Sequence, residues 1–262
     1  MNKPALTSQT LQILVQGHEL EVLRIPRADA RAPELVFLHE GLGSVSHWKD
    51  FPARVAEATG CGVTVYSRYG SGNSDVLGER RGVSYMHDEA LLVLPELLSK
   101  LAIENFILVG HSDGASIALI YAGAHDRMRG VVVLAPHVFV EDLSVASIAE
   151  ARVMFETTNL PEKLGRHHRD AARTFWGWND IWLDPAFRSW NIEEYLSRIT
   201  CPMLVIQGLD DQYGTMAQLE AIRRQSGGPV EVLALPGCRH SPQRDQMAAT
   251  LGAIAKFVRS RH

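Results

Sequence analysis

The stretch FILVGHSDGASIALIYAGA (residues 106–124) decides the fold that the sequence predicts. It begins with a short apolar run typical of a buried strand and ends in an alanine-rich helical pattern. Between the two lies GHSDG (residues 110–114), a G-x-S-x-G pattern whose small residues allow a tight, strained turn. Such a turn presents the Ser112 hydroxyl above a sheet, at a helix N-terminus that favours developing negative charge. Ser112 is therefore the candidate nucleophile.

The alternation of strand and helix continues on both sides of this stretch. Apolar runs typical of buried parallel strands occupy residues 35–38, 62–67, 106–110, 131–135, 203–207 and 230–235. Helical patterns occupy residues 86–101, 115–124, 216–225 and 243–259. Two further runs, residues 11–15 and 20–25, flank Gly17 and predict an opening antiparallel hairpin. The sequence thus predicts an α/β fold, a mostly parallel twisted sheet with helices on both faces.

One stretch, residues 138–198, interrupts this alternation with helical patterns and no strong strand run. It contains four of the five tryptophans, Trp176, Trp178, Trp182 and Trp190. We predict a single domain, with an α/β core of residues 1–137 and 199–262 and a helical cap of residues 138–198. The aromatic side chains either form the cap's own small core or line a substrate pocket, and the two roles are compatible.

Composition narrows the classes of function. The chain has 262 residues, 46% hydrophobic and 21% charged, which is ordinary for a globular protein. Lys and Arg number 26 against 30 Asp and Glu, whereas a nucleic-acid-binding protein normally carries a basic excess. No segment reaches the length of a membrane span, no signal-peptide pattern opens the chain, and the three cysteines form no disulfide framework. We expect a soluble, cytoplasmic protein with a small-molecule substrate and neither nucleic-acid nor membrane partner; the oligomeric state stays open.

A serine hydroxyl is a poor nucleophile at neutral pH, so it needs a base and a group that orients the base. Two segments that follow predicted strands offer them, GLDDQ (residues 208–212) and GCRHSP (residues 237–242). Of the eleven histidines, His240 alone combines such a loop with the chain order serine, acid, histidine. Asp210 and Asp211 are both candidates for the acid.

These motifs together resemble the α/β-hydrolase superfamily, and the resemblance covers nearly the whole chain, from about residue 11 to about residue 258. In that family the acid is usually the fourth residue of a Gly-x-x-Asp turn. The resemblance therefore implies that Asp211 is the acid and that Asp210 is a turn or capping residue.

The segment HEGLGS (residues 39–44) resembles the family's oxyanion loop, although Glu40 stands where glycine is usual. The resemblance implies an oxyanion hole made by the backbone N–H of Asp113 and that of either Gly41 or Leu42. The departure at Glu40 leaves the choice between these two open.

The resemblance and the candidate triad imply a serine hydrolase, of the carboxylesterase type (EC 3.1), that forms an acyl-enzyme on Ser112. We expect it to cleave a carboxylic ester or related acyl bond of an apolar or aromatic small molecule, with no cofactor and no metal. Thioesters, lactones and carbon–carbon bonds are alternatives for the same triad, and a ligand sensor with slow turnover is another. The candidate pocket residues are Trp176, Trp178, Trp182 and Trp190. The basic run RHHR (residues 166–169) with Arg173 predicts a solvated helix face, or else an anchor for an anionic group.

Overall fold

The structure, a computed structural model, describes residues 8–29 and 31–261, and these residues form one eight-stranded sheet in the order β1-β2-β4-β3-β5-β6-β7-β8. The strands are β1 (Gln9–Val15), β2 (His18–Ile25), β3 (Glu34–Leu38), β4 (Gly62–Tyr66), β5 (Phe106–His111), β6 (Gly130–Leu134), β7 (Met203–Gly208) and β8 (Val230–Leu235). β2 pairs antiparallel with β1 and β4. The other neighbours in this order, from β4 through β3 and β5 to β8, pair in parallel. The predicted hairpin and mostly parallel sheet are confirmed.

Helices connect the parallel strands, and two more follow the last strand. They are α1 (Phe51–Thr59), α2 (Tyr85–Asp88), α3 (Leu94–Lys100), α4 (Asp113–Ala124), α5 (Asp142–Thr157), α6 (Leu160–Gly165), α7 (Ala171–Leu183), α8 (Glu193–Leu196), α9 (Met216–Gln225), α10 (Pro242–Asp245) and α11 (Met247–Arg259). A π-helical turn, Glu89–Val93, joins α2 to α3, so the helical pattern at residues 86–101 forms one continuous segment. Among the described residues, no helix has the length and apolarity that spanning a membrane requires.

Alternate residues of the central strands pack into two cores, one on each face of the sheet. On β3, Leu35 and Phe37 belong to the core that includes α1 and α11. Val36 and Leu38 belong to the core on the other face, which includes α4. Because side chains alternate along a strand and helices cover both faces, the buried strands are apolar at nearly every position.

Between β6 and β7 the fully described chain forms the four helices α5 to α8 and a 3-10 turn, Pro185–Ser189. The buried aromatic side chains of this stretch belong to the same apolar cluster as α4, so these helices share a core with one face of the sheet. α5 and α7 pack on each other, with the rings of Phe155 and Phe175 stacked at a centroid distance of 3.9 Å. The shared core fixes the helices α5 to α8 beside the turn that carries Ser112.

Candidate active site

Ser112 lies in the turn between β5 and α4 with φ 52° and ψ −118°, a backbone conformation that residues other than glycine rarely adopt. Holding it costs about 1–3 kcal/mol, which the surrounding structure must offset. Two glycines make the turn sterically possible. A Cβ on Gly110 would lie 2.3 Å from the Gly114 carbonyl oxygen, and a Cβ on Gly114 would lie 2.1 Å from that of Leu38. The two glycines therefore leave room for the strained turn, and the turn holds Ser112 at the N-terminus of α4.

His240 bridges Ser112 and Asp211. Its Nε2 lies 2.9 Å from Ser112 Oγ, and its Nδ1 lies 2.9 Å from each carboxylate oxygen of Asp211. The carboxylate also accepts hydrogen bonds from the backbone N–H of Tyr213 at 2.8 Å and the side-chain amide of Gln207 at 2.9 Å. Burial opposes ionisation, but the contacts with His240 and Tyr213 outweigh it and lower the pKa of Asp211. A carboxylate held in this way can keep the Nδ1 proton on His240 and leave Nε2 free to accept one.

The loops that carry the acid and the histidine are tied together. The exposed Asp210 donates its backbone N–H to the carbonyl oxygen of Cys238 at 2.9 Å. Gly208 allows the close approach, since a Cβ there would lie 2.2 Å from the same oxygen. This arrangement turns the carboxylate of Asp211, and not that of Asp210, toward His240.

Gly41, Leu42 and Asp113 line the same cavity as Ser112. Asp113 is the first residue of α4, and the first N–H groups of a helix have no acceptor within it. Gly41 lies against the indole of Trp178, where a Cβ would meet the ring at 2.2 Å. The carbonyl of Leu42 accepts a hydrogen bond from His168 Nε2 at 3.0 Å. Both loop residues stay candidates for the second oxyanion donor.

A buried polar cluster supports the residue after Ser112. Tyr85 donates its hydroxyl to Asp113 Oδ2 at 2.7 Å, and the guanidinium of Arg68 lies 3.7 Å from the same oxygen. Trp182 in turn donates its indole N–H to the Tyr85 hydroxyl at 3.1 Å. Burying a carboxylate is costly unless it is paired, so Arg68 and Tyr85 belong to the structural support of the turn. Sequence reasoning did not pair these residues with Asp113, because they lie far from it along the chain.

A cavity of about 240 Å³ opens at Ser112. Its apolar wall comes from α5, α6 and α7, with Ile148, Leu160, Leu164, Trp178 and Trp182. Its polar wall includes Glu40, His47, His111, His137, Gln212 and Tyr213, none of which was a candidate site residue from the sequence. Glu40, His111 and Gln212 lie inside the quoted motifs but had no predicted role there, and only the fold brings the six side chains to one place.

Two of the four candidate pocket tryptophans lie elsewhere, which corrects that expectation. Trp178 and Trp182 line the cavity because residues four apart share a helix face. Trp176 is rotated by about 200° around α7 from Trp178 and lines a separate cleft. Trp190 packs on Phe187, with ring centroids 5.4 Å apart, and belongs to the core.

Glu40 brings a negative charge to the cavity wall. Its Oε2 lies 3.3 Å from His111 Nδ1, and its Oε1 lies 3.9 Å from the guanidinium of Arg244. Burial opposes ionisation, but the hydrogen bond and charge of His111 outweigh it and hold the pKa of Glu40 well below its ordinary value. The residue that departs from the usual loop pattern is therefore an anion at neutral pH.

The basic run at residues 166–169 has both exposed and buried side chains. Arg166 and Arg169 are exposed, as a solvated face requires, but His168 is only 7% exposed. The Nδ1 atom of His168 accepts the N–H of Gly72 at 2.9 Å, and its Nε2 donates to the carbonyl of Leu42. The ring therefore ties the loops of Gly72 and Leu42 to the segment between α6 and α7. Among the described residues, no cluster of three or more His, Cys, Asp or Glu side chains could hold a metal ion.

Comparisons with known proteins agree on a family. Residues 35–253 match the profile of the alpha/beta hydrolase family. A proline iminopeptidase of Lactobacillus delbrueckii subsp. lactis is 32% identical over 97 residues, which are 37% of this chain and 33% of that protein. The chain thus aligns with about a third of the iminopeptidase's length.

Two further relatives match over most of the chain. A protein that carries the name carbamate hydrolase RutD, from Rhizobium rhizogenes, is 27% identical over 216 residues, covering 73% of this chain and 79% of its own. The crystal structure of the enol-lactonase from Burkholderia xenovorans LB400 superposes with a TM-score of 0.74 at 19% identity, covering 95% of this chain and 99% of that one. At that identity the structural likeness concerns the fold alone.

Proposed function

The chain belongs to the alpha/beta hydrolase family, and from this premise we propose that it is a serine hydrolase cleaving an ester or related acyl bond of an uncharged small molecule. The observation that carries the proposal is the double contact of His240, 2.9 Å from Ser112 Oγ on one ring nitrogen and 2.9 Å from Asp211 on the other. This is the geometry that activates a serine hydroxyl as a nucleophile.

In the proposed mechanism Ser112 Oγ attacks the carbonyl carbon while His240 Nε2 takes its proton. Asp211 orients the imidazole and stabilises the imidazolium. The N–H groups of Asp113 and of Gly41 or Leu42 stabilise the oxyanion, which collapses as His240 protonates the leaving group. Water, deprotonated by His240, then attacks the acyl-enzyme, and the proton returns to Ser112 as the acid leaves.

The chemistry of the cavity wall favours an uncharged substrate. No Lys or Arg is among the described residues that line it, and the Glu40 carboxylate repels anions. The apolar wall from Trp178, Trp182 and the neighbouring aliphatic side chains suits an apolar or aromatic group. We assign these wall residues to a cap of residues 138–198 that shields the reaction from water, over a core of residues 1–137 and 199–262.

Replacement of the nucleophile tests the proposal. Ser112→Ala should lower kcat on p-nitrophenyl esters by roughly 10³-fold or more, because triad members act as a unit. A fluorophosphonate probe should label the wild type at Ser112, as mass spectrometry of the digested protein can check. Ser241, which lines the same cavity, is the matched control, and Ser241→Ala should keep most of the activity and the labelling. Sustained activity in Ser112→Ala, or labelling elsewhere, would show that the serine mechanism is wrong.

A further inference from the structure

The ring of His111 contacts three separate segments of the candidate active site. His111 is the last residue of β5, directly before Ser112, and it is 1% exposed. Its Nε2 lies 2.7 Å from the backbone carbonyl oxygen of His240, and its Nδ1 lies 3.3 Å from Glu40 Oε2. The side-chain amide of Gln243, on α10, lies 3.1 Å from the same Nδ1. The loops that carry Glu40, Ser112 and His240 therefore meet at one buried imidazole.

The contact with His240 is a hydrogen bond in which the His111 ring donates. A carbonyl oxygen only accepts, so Nε2 of His111 must carry a proton. The neighbours of Nδ1 allow this in either protonation state of the ring. A neutral ring accepts there from the Gln243 amide, and a charged ring donates there to the Glu40 carboxylate. The hydrogen bond to His240 is thus present in both states.

The histidine loop, residues 237–242, needs such a tether because it starts from the edge of the sheet. It follows β8, the last strand in the sheet order, whereas Ser112 follows β5, three strands away. Neighbouring strands lie about 4.8 Å apart, so the loop must reach across roughly 14 Å to the serine. Two further tethers hold Cys238 and Arg239. In the described part of the chain, the bond from His111 is the one hydrogen bond to the backbone of His240 itself.

The imidazole that provides this tether is itself held from the side of Glu40. The Glu40 backbone carbonyl accepts hydrogen bonds from the guanidinium of Arg68 at 2.9 Å and from the N–H of Gly43 at 3.0 Å. Gly43 also leaves room for the carboxylate, since a Cβ there would lie 2.6 Å from Glu40 Oε2. The indole of Trp48 packs on the imidazole, with ring centroids 6.1 Å apart. Polar contacts and packing therefore fix the ring that in turn fixes His240.

We propose that His111 is a positioning residue of the reaction: by holding the His240 carbonyl, it sets the place of the His240 imidazole against Ser112 Oγ. This inference rests on the proposed function. An error of about 1 Å in such a placement can slow a reaction by roughly 10²-fold, because proton transfer needs its donor and acceptor within hydrogen-bond range. Since His111 acts through His240, loss of the tether should lower kcat with little change in KM.

Two amide variants separate the two contacts of the ring. The side-chain nitrogen of glutamine reaches about as far as histidine Nε2, and that of asparagine about as far as Nδ1. His111→Gln should thus keep the donor to the His240 carbonyl, whereas His111→Asn should keep only a polar group near Glu40. We expect His111→Asn to lower kcat on p-nitrophenyl esters by roughly 10²-fold, and His111→Gln to keep at least about ten times the kcat of His111→Asn. KM should stay within about threefold of wild type in both variants.

A fluorophosphonate probe gives a second readout. Its rate of labelling at Ser112 should fall in the same order as kcat, because that reaction also depends on proton transfer to His240. Thr64→Val is the matched control for the loss of a buried hydrogen bond. Thr64 on β4 is 1% exposed and donates to Glu34 Oε1 at 2.6 Å, and neither residue lines the cavity. This variant should have a lower free energy of unfolding and the wild-type kcat, and circular dichroism confirms that each variant is folded.

Four results would overturn the positioning role: the wild-type kcat in folded His111→Asn, equal losses of kcat in His111→Asn and His111→Gln, a loss confined to KM, or a His111 Nε2 without a proton in ¹⁵N spectra of the wild type at neutral pH. The spectra need no variant, so a variant that fails to fold does not prevent the decision. In each case hydrolysis that depends on Ser112 leaves the proposed function standing. Hydrolysis that persists in Ser112→Ala contradicts the proposed function instead.

Discussion

At the residue scale, the site depends on which of two adjacent carboxylates faces the histidine. Asp211 is 8% exposed and contacts His240, Gln207 and Tyr213, whereas Asp210 is exposed. The same loop therefore holds one carboxylate in a hydrogen-bonded, desolvated place and the other in water. The two differ in electrostatic effect although their side chains are identical.

Neutralising these carboxylates one at a time should separate their roles. Asp211→Asn should reduce kcat/KM on p-nitrophenyl esters by roughly 10³-fold or more, because the amide no longer stabilises the imidazolium and favours the wrong histidine tautomer. Asp210→Asn, the matched control in the same loop, should stay within a few fold of wild type. Steady-state kinetics on both purified variants decides the matter. A larger loss in Asp210→Asn would transfer the orienting role to that residue.

The sequence could predict the candidates Ser112 and His240 because each follows a recognisable strand and carries a local signature. For the acid it left Asp210 and Asp211 open, and only the resemblance to the family favoured Asp211. The structure brings Ser112, His240 and Asp211 within hydrogen-bond distance, while their catalytic roles stay predictions for the variants above. That His47, His137 and Tyr213 line the same cavity as Ser112 could not be predicted, since they come from distant segments of the chain. Such a property exists only after distant segments have packed.

At the scale of elements, α7 lies between two cavities, and each of its two faces lines one of them. Trp178 and Trp182 face the cavity at Ser112, and Trp176 with Gly177 faces the cleft on the other side. The sequence predicts a helical, aromatic-rich stretch here, but the count of aromatic residues does not reveal which side of the helix each one takes. The phase of the helix decides this, and the phase depends on packing against α5 and the core.

Replacing the tryptophans of this region by alanine should distinguish those that line the pocket from those that belong to the core. Trp178→Ala should enlarge the cavity and shift the chain-length preference toward larger acyl groups, by about 1–3 kcal/mol per extra methylene accommodated. Trp190→Ala should lower the free energy of unfolding by about 3–5 kcal/mol and leave the substrate profile unchanged. Trp176→Ala is the control. Because Trp176 is only half-buried, its replacement should change both the substrate profile and the free energy of unfolding less. Profiles over a series of p-nitrophenyl esters and denaturation curves measure the two effects, and an unaltered profile in folded Trp178→Ala would contradict the pocket assignment.

Other elements show where sequence patterns stop being informative. The pattern does not predict α1, although Pro52 in its first turn and Gly60 at φ 75° beyond its end are ordinary start and stop signals. The pattern at residues 243–259 is divided into α10 and α11 by Gln246, with φ −133° and ψ 51°. That break follows from the histidine loop, whose Arg239 N–H is held by the Asp245 carboxylate at 2.9 Å, a constraint that no local propensity encodes.

At the scale of the whole molecule, buried neutral histidines couple stability to pH. Burial lowers the pKa of His137 and of His168 to about 4. In the unfolded chain an ordinary histidine has a pKa of about 6.5, so between about pH 6.5 and pH 4 the unfolded state binds more protons than the folded one. Stability is therefore greatest above the upper value and falls as the pH drops through this window.

We expect the free energy of unfolding to fall markedly between pH 7 and pH 4.5, with at most about 3 kcal/mol from each of the two histidines. His168→Gln should be less stable than wild type at pH 7, because it loses the contacts to Gly72 and Leu42, yet it should show a smaller difference between the two pH values. Urea denaturation at both pH values gives the comparison, with the exposed His125→Gln as control. An equal pH difference in wild type and His168→Gln would refute the coupling.

The separation of Ser112 from His240 along the chain has a consequence for refolding. The hydrogen bond between them joins residues 128 positions apart, across a sheet whose later strands pair in parallel. Contacts of this range form late, because a long loop must close before any favourable interaction compensates for the lost chain entropy. We therefore expect the serine and the histidine to meet only after β5 to β8 have assembled, so that regained turnover would report completion of the native topology and lag behind the recovery of helical signal.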